Sequence, residues 1–262
     1  MSLFQSIQKL RYPLDHLIYP TQRYEVKLNA LKKNYDGRPV VIVGNGPSLN
    51  ETPLDQMHGM YFIGMNKIHL GFDKFAKWRP DVILATNRHV IEQCSNEYVS
   101  SEVPILLPWQ QRFFLKAKAK AESKIIYTSH LHKKGFSEKF VKYVNSGPTV
   151  TYFALQLAYF LEAKEIYLVG VDHSFAEQGP KNKLTISTGD DPNHFHKDYF
   201  GKGVKWNLPD LEASEKCYHE ARRFFDAQGS QVFDATIGGK LEVFSKVDIA
   251  SLINVSKRAK LV

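Results

Sequence analysis

The chain has 262 residues, 43% hydrophobic and 24% charged, close to a globular average, which excludes a disordered or collagen-like polypeptide. Lys plus Arg number 35 against 27 Asp plus Glu, a net charge of +8 that favours anionic partners. No apolar run nears the ~20 residues of a membrane span, the start lacks a signal-peptide core, and the two cysteines, Cys94 and Cys217, form no disulfide framework. A cytoplasmic address is expected.

Residues 1–37 interleave apolar and basic side chains and end at Asp36-Gly37. They are expected to form an N-terminal helical appendage that packs on the main domain or meets a membrane surface or partner. From Arg38 the texture changes, and residues 38–262 are expected to form one α/β domain. PVVIV (39–43) is a continuous apolar run, as expected of a strand buried on both faces. Similar runs follow at 60–65, 81–86, 103–107, 123–128, 165–171 and 231–236. The Ala-rich stretch holding Lys116, Lys118, Lys120 and Lys124 reads as a solvated helix face, and no zinc-finger or RNA-recognition pattern supports a nucleic-acid partner. Helical patterns cover 149–163 and 209–229, the second with Pro209 near its start and Gly229 just past its end. Strands alternating with helices predict a Rossmann-like α/β fold, a mostly parallel sheet with helices on both faces. The stretch from Ala176 to Asn207 fits neither period, so a lid is expected at about 177–204, hinged at Gly179, Gly189, Gly201 and Gly203.

Ligands of open α/β sheets sit outside the carboxyl ends of the strands. The first strand runs into Gly44-Asn45-Gly46-Pro47-Ser48-Leu49, a turn that lets N–H groups approach a phosphate with a helix start beyond. It lacks the third Gly of a dinucleotide fingerprint and the Gly-Lys-Ser/Thr of an ATPase loop. An ordinary strand-to-loop turn would use the same residues. Other strand ends carry Asn66, Asn87 and Asp172, with His173 next; amides and a carboxylate suit ribose, base and phosphate, although Asn and Asp also start turns. Ser146-Gly147-Pro148-Thr149 precedes the apolar helix and offers a cap or an anion site. In the loop, His194 and His196 are candidate general bases. Asp190 and Asp191 with these histidines offer a metal set instead, although no HExxH or Asp-x-Asp pattern occurs. Phe195, Tyr199, Phe200 and Trp206 either anchor the loop or stack on a sugar or base.

VVIVGNGPSLN, the strand ending FIGMN, then SGPTVTYFALQLAYFLEAKEIYLVGVD and a His-containing loop resemble, over roughly residues 38–250, the family 42 bacterial sialyltransferases. They are similar also to uncharacterised polysaccharide-locus proteins grouped with 6-hydroxymethylpterin diphosphokinases and motility-associated flagellin glycosyltransferases. The tail DATIGGKLEVFSKVD resembles the uncharacterised branch more. The sialyltransferase resemblance implies an inverting, metal-independent glycosyltransferase with no cofactor, a CMP-sugar donor, a glycan acceptor and a histidine base. Gly44, Asn45, Gly46 and Ser48 would lie at the donor, Asn66 and Asn87 match its strand-end contacts, Ser146 and Gly147 match the Ser-Gly at the sugar carboxylate, and Asp172 matches the Asp after the sixth strand. Where the family places tyrosines for the departing phosphate, this chain has His173-Ser174-Phe175, leaving His173, Lys181 or Lys202 to substitute. Of the two bases His196 is preferred, for Lys197 and Lys202 nearby. Contact with the inner membrane and a homo-oligomer are further expectations. An ATP-dependent pyrophosphokinase using Asp190 and Asp191 for magnesium, or a non-catalytic nucleotide-binding assembly protein, are the alternatives.

Overall fold

The computed structural model describes residues 13–118, 123–132, 135–176 and 179–259. In chain order these form α1 (Thr21–Asn34), β1 (Val40–Val43), β2 (Tyr61–Met65), β3 (Val82–Leu84), α2 (Arg88–Gln93), α3 (Ser95–Val99), β4 (Ile105–Pro108) and β5 (Ile125–Thr128). Then come β6 (His130–Leu131), β7 (Val144–Asn145), α4 (Val150–Phe160), β8 (Glu165–Val169), β9 (Leu184–Ile186), β10 (Lys205–Asn207), α5 (Leu211–Ala227), β11 (Gln231–Asp234), β12 (Ser245–Lys246) and α6 (Ile249–Ala259).

Eight strands make one sheet in the order β12-β11-β8-β1-β2-β3-β4-β5, and every pairing in it is parallel. Alternation along the strands explains the unbroken apolar runs. Val40, Ile42, Ile63, Ile166 and Leu168 face one layer with Leu28 and Leu31 of α1, Leu155 of α4 and Phe225 of α5. Val41, Val43, Phe62, Tyr167 and Val169 face the other, with Ile91 of α2, Tyr98 of α3 and Leu252 of α6. Both faces are covered, as a parallel sheet requires. The fold is a Rossmann-like α/β fold. From β1 the chain winds outward through β2, β3, β4 and β5, then returns to the other side of β1 as β8. The order therefore reverses between β1 and β8, and the crevice outside their carboxyl ends is where such folds bind ligands.

Two local expectations are corrected. Beyond Gly46 the chain makes only a four-residue 3-10 turn, Pro47–Asn50, because Pro53 bars helical backbone at Thr52. The helix expected around Lys116–Lys124 does not begin: Leu115 is extended and the Lys116 N–H donates to Ser95 Oγ at 3.0 Å; residues 119–122 lie outside the described residues. Tyr24, Leu28 and Leu31 of α1, spaced for one helix face, are buried in the first core layer with Tyr19.

Candidate functional site

A cleft of about 1720 Å³ opens at the carboxyl edge of the sheet, over the β1–β8 switch point. Its walls gather side chains from far apart in sequence: Asn45, Asn66, Asn87 and Asp172 from strand ends, Thr149 and Thr151 from the start of α4, Tyr218 from α5 and His194 from the loop. Arg88, His16, His132 and His173 also line it, and among the described lining residues Asp172 is the one carboxylate. Such a wall favours an anion.

The turn after β1 is built differently from a phosphate cradle. The N–H groups of Gly44 and Gly46 donate to the carbonyls of Val169 (2.7 Å) and Gly170 (2.8 Å). Ser48 donates to Asp172 twice, from N to Oδ1 at 3.0 Å and from Oγ to Oδ2 at 2.8 Å. A Cβ on Gly44 would overlap the Gly170 carbonyl, and one on Gly46 would overlap the Asp172 carboxylate. Both glycines are thus required by the close approach of the β8 end. This corrects the expectation that Gly44 and Gly46 offer their N–H groups to a phosphate. Burial pushes the Asp172 carboxyl above its ordinary range, against the Ser48 hydrogen bonds that pull it down.

The strand-end amides are the open polar groups. Asn45 Nδ2 donates to the Met65 carbonyl at 3.0 Å, while Asn45 Oδ1 and Asn66 Oδ1 are buried at the cleft without a donor among the described residues. Two orphaned acceptors suit a ligand carrying an amine or hydroxyls. Asn66 and His173 both hold left-handed backbone, at φ 48° and 56°; such conformations cluster at functional sites. Asn87 caps α2, its Oδ1 accepting from His89 N at 2.9 Å. His173 Nε2 lies 2.9 Å from Glu215 Oε1.

The histidine expectation divides. His194 lines the cleft; its Nδ1 lies 2.7 Å from Asp191 Oδ2, and its ring stacks on Tyr199 with centroids 3.9 Å apart. Asp191 also accepts from the N–H groups of Asn193 (2.8 Å) and Phe200 (2.9 Å). Burial alone would raise its carboxyl; the His194 hydrogen bond and charge, with those N–H groups, outweigh it and hold the carboxyl below its ordinary range. An ionised Asp191 can only accept from Nδ1, so the neutral tautomer it selects carries its lone pair on Nε2. His196 was preferred on sequence, but it stands outside the cleft, its side chain 35% exposed against 12% for His194, and its Nδ1 accepts from Asp198 N at 3.2 Å. The segment is a series of bends rather than an extended strand, so the two rings diverge.

The expected lid divides as well. Residues 184–186 and 205–207 pair as an antiparallel hairpin, and Phe195, Tyr199, Phe200 and Trp206 are buried in the second core layer. These aromatics anchor the loop. The Phe195 N–H donates to Asn45 O at 2.9 Å, Asn50 Nδ2 donates to Phe195 O at 2.9 Å, and Lys67 Nζ donates to Tyr199 O at 2.6 Å. Residues 177–178 lie outside the described residues.

Ser146 and Gly147 do not line the cleft; Thr149, Val150 and Thr151 take that place. A Cβ on Gly147 would collide with the Tyr152 ring, so packing explains that glycine. Lys181 is held by Glu212 and Asp210 at 2.6 and 3.3 Å, and neither it nor Lys202 reaches the cleft; of the three candidates for the phosphate only His173 lines it. Thr151 and Tyr218 were missed, and Thr149 was read only as a cap or anion site: all three line the cleft, Tyr218 is buried, and Thr149 Oγ1 caps α4 by accepting from Thr151 N at 3.2 Å. A threonine pair at the start of an apolar helix is the one sequence sign of it. No set of three or more metal-ligating side chains gathers among the described residues.

No family model matches the chain, and a search of curated proteins finds no match. Among solved structures the chain is similar to the sialyltransferase CstII from Campylobacter jejuni in complex with a substrate analogue, CMP-3FNeuAc. The identity is 15% over 80% of this chain and 86% of that one, with a TM-score of 0.42. A likeness that distant adds nothing to the geometry above.

Proposed function

We propose that this protein is a glycosyltransferase that holds a CMP-activated sugar, sialic acid or a related nonulosonic acid, in the cleft and passes it to a glycan hydroxyl during surface-polysaccharide synthesis. One observation carries the reading: His194, at the cleft wall, is fixed by an ionised carboxylate through Nδ1, which leaves Nε2 as a base. Such a pairing holds the tautomer and stabilises the imidazolium that forms on proton uptake.

Transfer then runs as a direct displacement. The acceptor oxygen bonds the anomeric carbon as the bond from that carbon to the phosphate oxygen breaks. Its electrons leave with CMP, and the acceptor proton passes to His194 Nε2. The configuration inverts. Asn45 and Asn66 Oδ1 accept from donor amine or hydroxyl groups, and Arg88 and His173 supply cationic or donor groups for the anionic portions. The motif resemblance across residues 38–250 names the donor class. The pyrophosphokinase alternative draws on Asp190 and Asp191, and neither side chain lines the cleft.

Calorimetric titration with CMP, CDP, UDP, GDP and ATP, each with and without magnesium, tests the reading. CMP is expected to bind most tightly, independently of magnesium. Magnesium-dependent preference for ATP would replace it with the pyrophosphokinase. Tight CMP binding without turnover of any donor would point to the non-catalytic alternative.

A further inference from the structure

Residues 13–17 form a short helical segment at the mouth of the cleft, and its polarity is inside out. Asp15 is 4% exposed and its Oδ1 accepts from Arg112 Nη2 at 2.8 Å; His16 Nδ1 lies 2.8 Å from Ser129 Oγ beyond the end of β5. The apolar side chains are exposed: Leu14 is 62% exposed, Leu17, at the rim of the cleft, 78% and Ile18 64%. A segment that buries its acid and shows its leucines to solvent has its apolar side matched to something other than water.

Charge says what. Residues 1–34 hold Lys9, Arg11, Arg23, Lys27, Lys32 and Lys33 against only Asp15 and Glu25; Asp15 is paired with Arg112 and Lys32 with Glu162, which leaves the segment cationic. In sequence the apolar spacing continues upstream through Leu3, Ile7 and Leu10, with Lys9 and Arg11 between. Exposed leucines beside a cationic segment match a bilayer bearing anionic headgroups, where apolar side chains enter the headgroup–acyl boundary and cations meet phosphate. We infer that Leu14, Leu17 and Ile18 form a docking surface for an anionic phospholipid membrane, which sets the mouth of the cleft against the bilayer. The inference does not depend on which donor the cleft takes.

Sedimentation with vesicles of phosphatidylglycerol and phosphatidylethanolamine, against vesicles of phosphatidylcholine alone, tests it. The protein is expected to sediment with the anionic vesicles and to release as NaCl rises from about 50 to about 300 mM. The Leu14→Asp/Ile18→Asp variant is expected to bind about tenfold more weakly or worse, with unchanged circular dichroism. Should that pair fail to fold, Leu14→Ser/Ile18→Ser serves the same purpose. No preference for anionic vesicles, or equal binding by the folded variant, would overturn the inference. So would sedimentation velocity showing a dimer that the variant splits, since the surface would then be an interface between two copies.

Discussion

Gly46→Ala isolates the contact that joins the two halves of the cleft. The new methyl group would overlap Oδ2 and Cγ of Asp172 and stand 3.0 Å from its Cβ. The methyl is fixed by the backbone, so the carboxylate must swing away and lose both Ser48 hydrogen bonds. Hydrogen bonds to a charged group contribute about 1.5–3 kcal/mol each, so the variant is expected to lose about 3–6 kcal/mol. Urea denaturation followed by circular dichroism reads this directly. In an Asp172→Gly background the overlapping atoms are gone, and the same substitution is expected to cost about 1 kcal/mol or less. Gly189→Ala is the control: nothing lies within 4 Å of its new methyl, so its effect should stay near zero or stabilise by up to about 1 kcal/mol. Equal costs for Gly46→Ala in both backgrounds would refute the contact as the reason for the glycine.

Acid should destabilise the protein early. Burial pushes fully enclosed His130 down to about 3, so the unfolded chain takes up a proton that the folded one refuses as pH falls below about 6.5. Stability is expected to drop by about 2 kcal/mol between pH 6.5 and 5 and to level off near pH 3, and His130→Gln should flatten the slope. Asp191 acts lower on the scale: its depressed carboxyl lends stability above its unfolded value of about 3.9, lost as pH falls through the folded value. Asp191→Asn removes that and frees the His194 ring, so turnover is expected to fall about tenfold to a thousandfold with nucleotide affinity kept; unchanged turnover would separate Asp191 from the base. In hydrogen exchange, residues 179–183 and 188–190, on either side of β9, should exchange fast and slow when donor binds, while β9 and 191–208, pinned by Phe195, Tyr199, Phe200 and Trp206, should be protected throughout; equal exchange of the flanking residues with and without donor would exclude a lid.

Seven of the eight strands of the main sheet were legible because a parallel sheet buries both faces and so writes continuous apolar runs, whereas the exposed two-residue β12 and the short strands β6, β7, β9 and β10 write none; helices α4 and α5 were legible from their period and Gly229. The edge that carries the cleft was legible too, since Gly44, Asn66, Asn87 and Asp172 stand at successive strand ends and all line it. What local reading could not supply was pairing across distance. Gly44 and Gly46 resemble a phosphate turn, yet their partners, Gly170 and Asp172, lie more than a hundred residues away. His194 and His196 look equivalent until Asp191 turns the chain back on itself and takes one ring with it. Tyr218 reads as core on an amphipathic helix, and only the packing of α5 against α4 brings it to Thr149 and Thr151. Residues 13–17 were read only within the 1–37 appendage, because polarity alone does not reveal which side of a short segment faces the protein.

The most direct measurement is release of CMP from a CMP-activated nonulosonic acid in the presence of a glycan acceptor, by the wild type and by His194→Asn and His196→Asn. The expected result is that His194→Asn lowers kcat by about 10²–10⁴-fold, the usual contribution of a general base, with donor affinity unchanged. His196→Asn should turn over like the wild type. Wild-type turnover in His194→Asn would contradict the assignment of the base, and absence of CMP release by the wild type across acceptors would contradict the transferase itself.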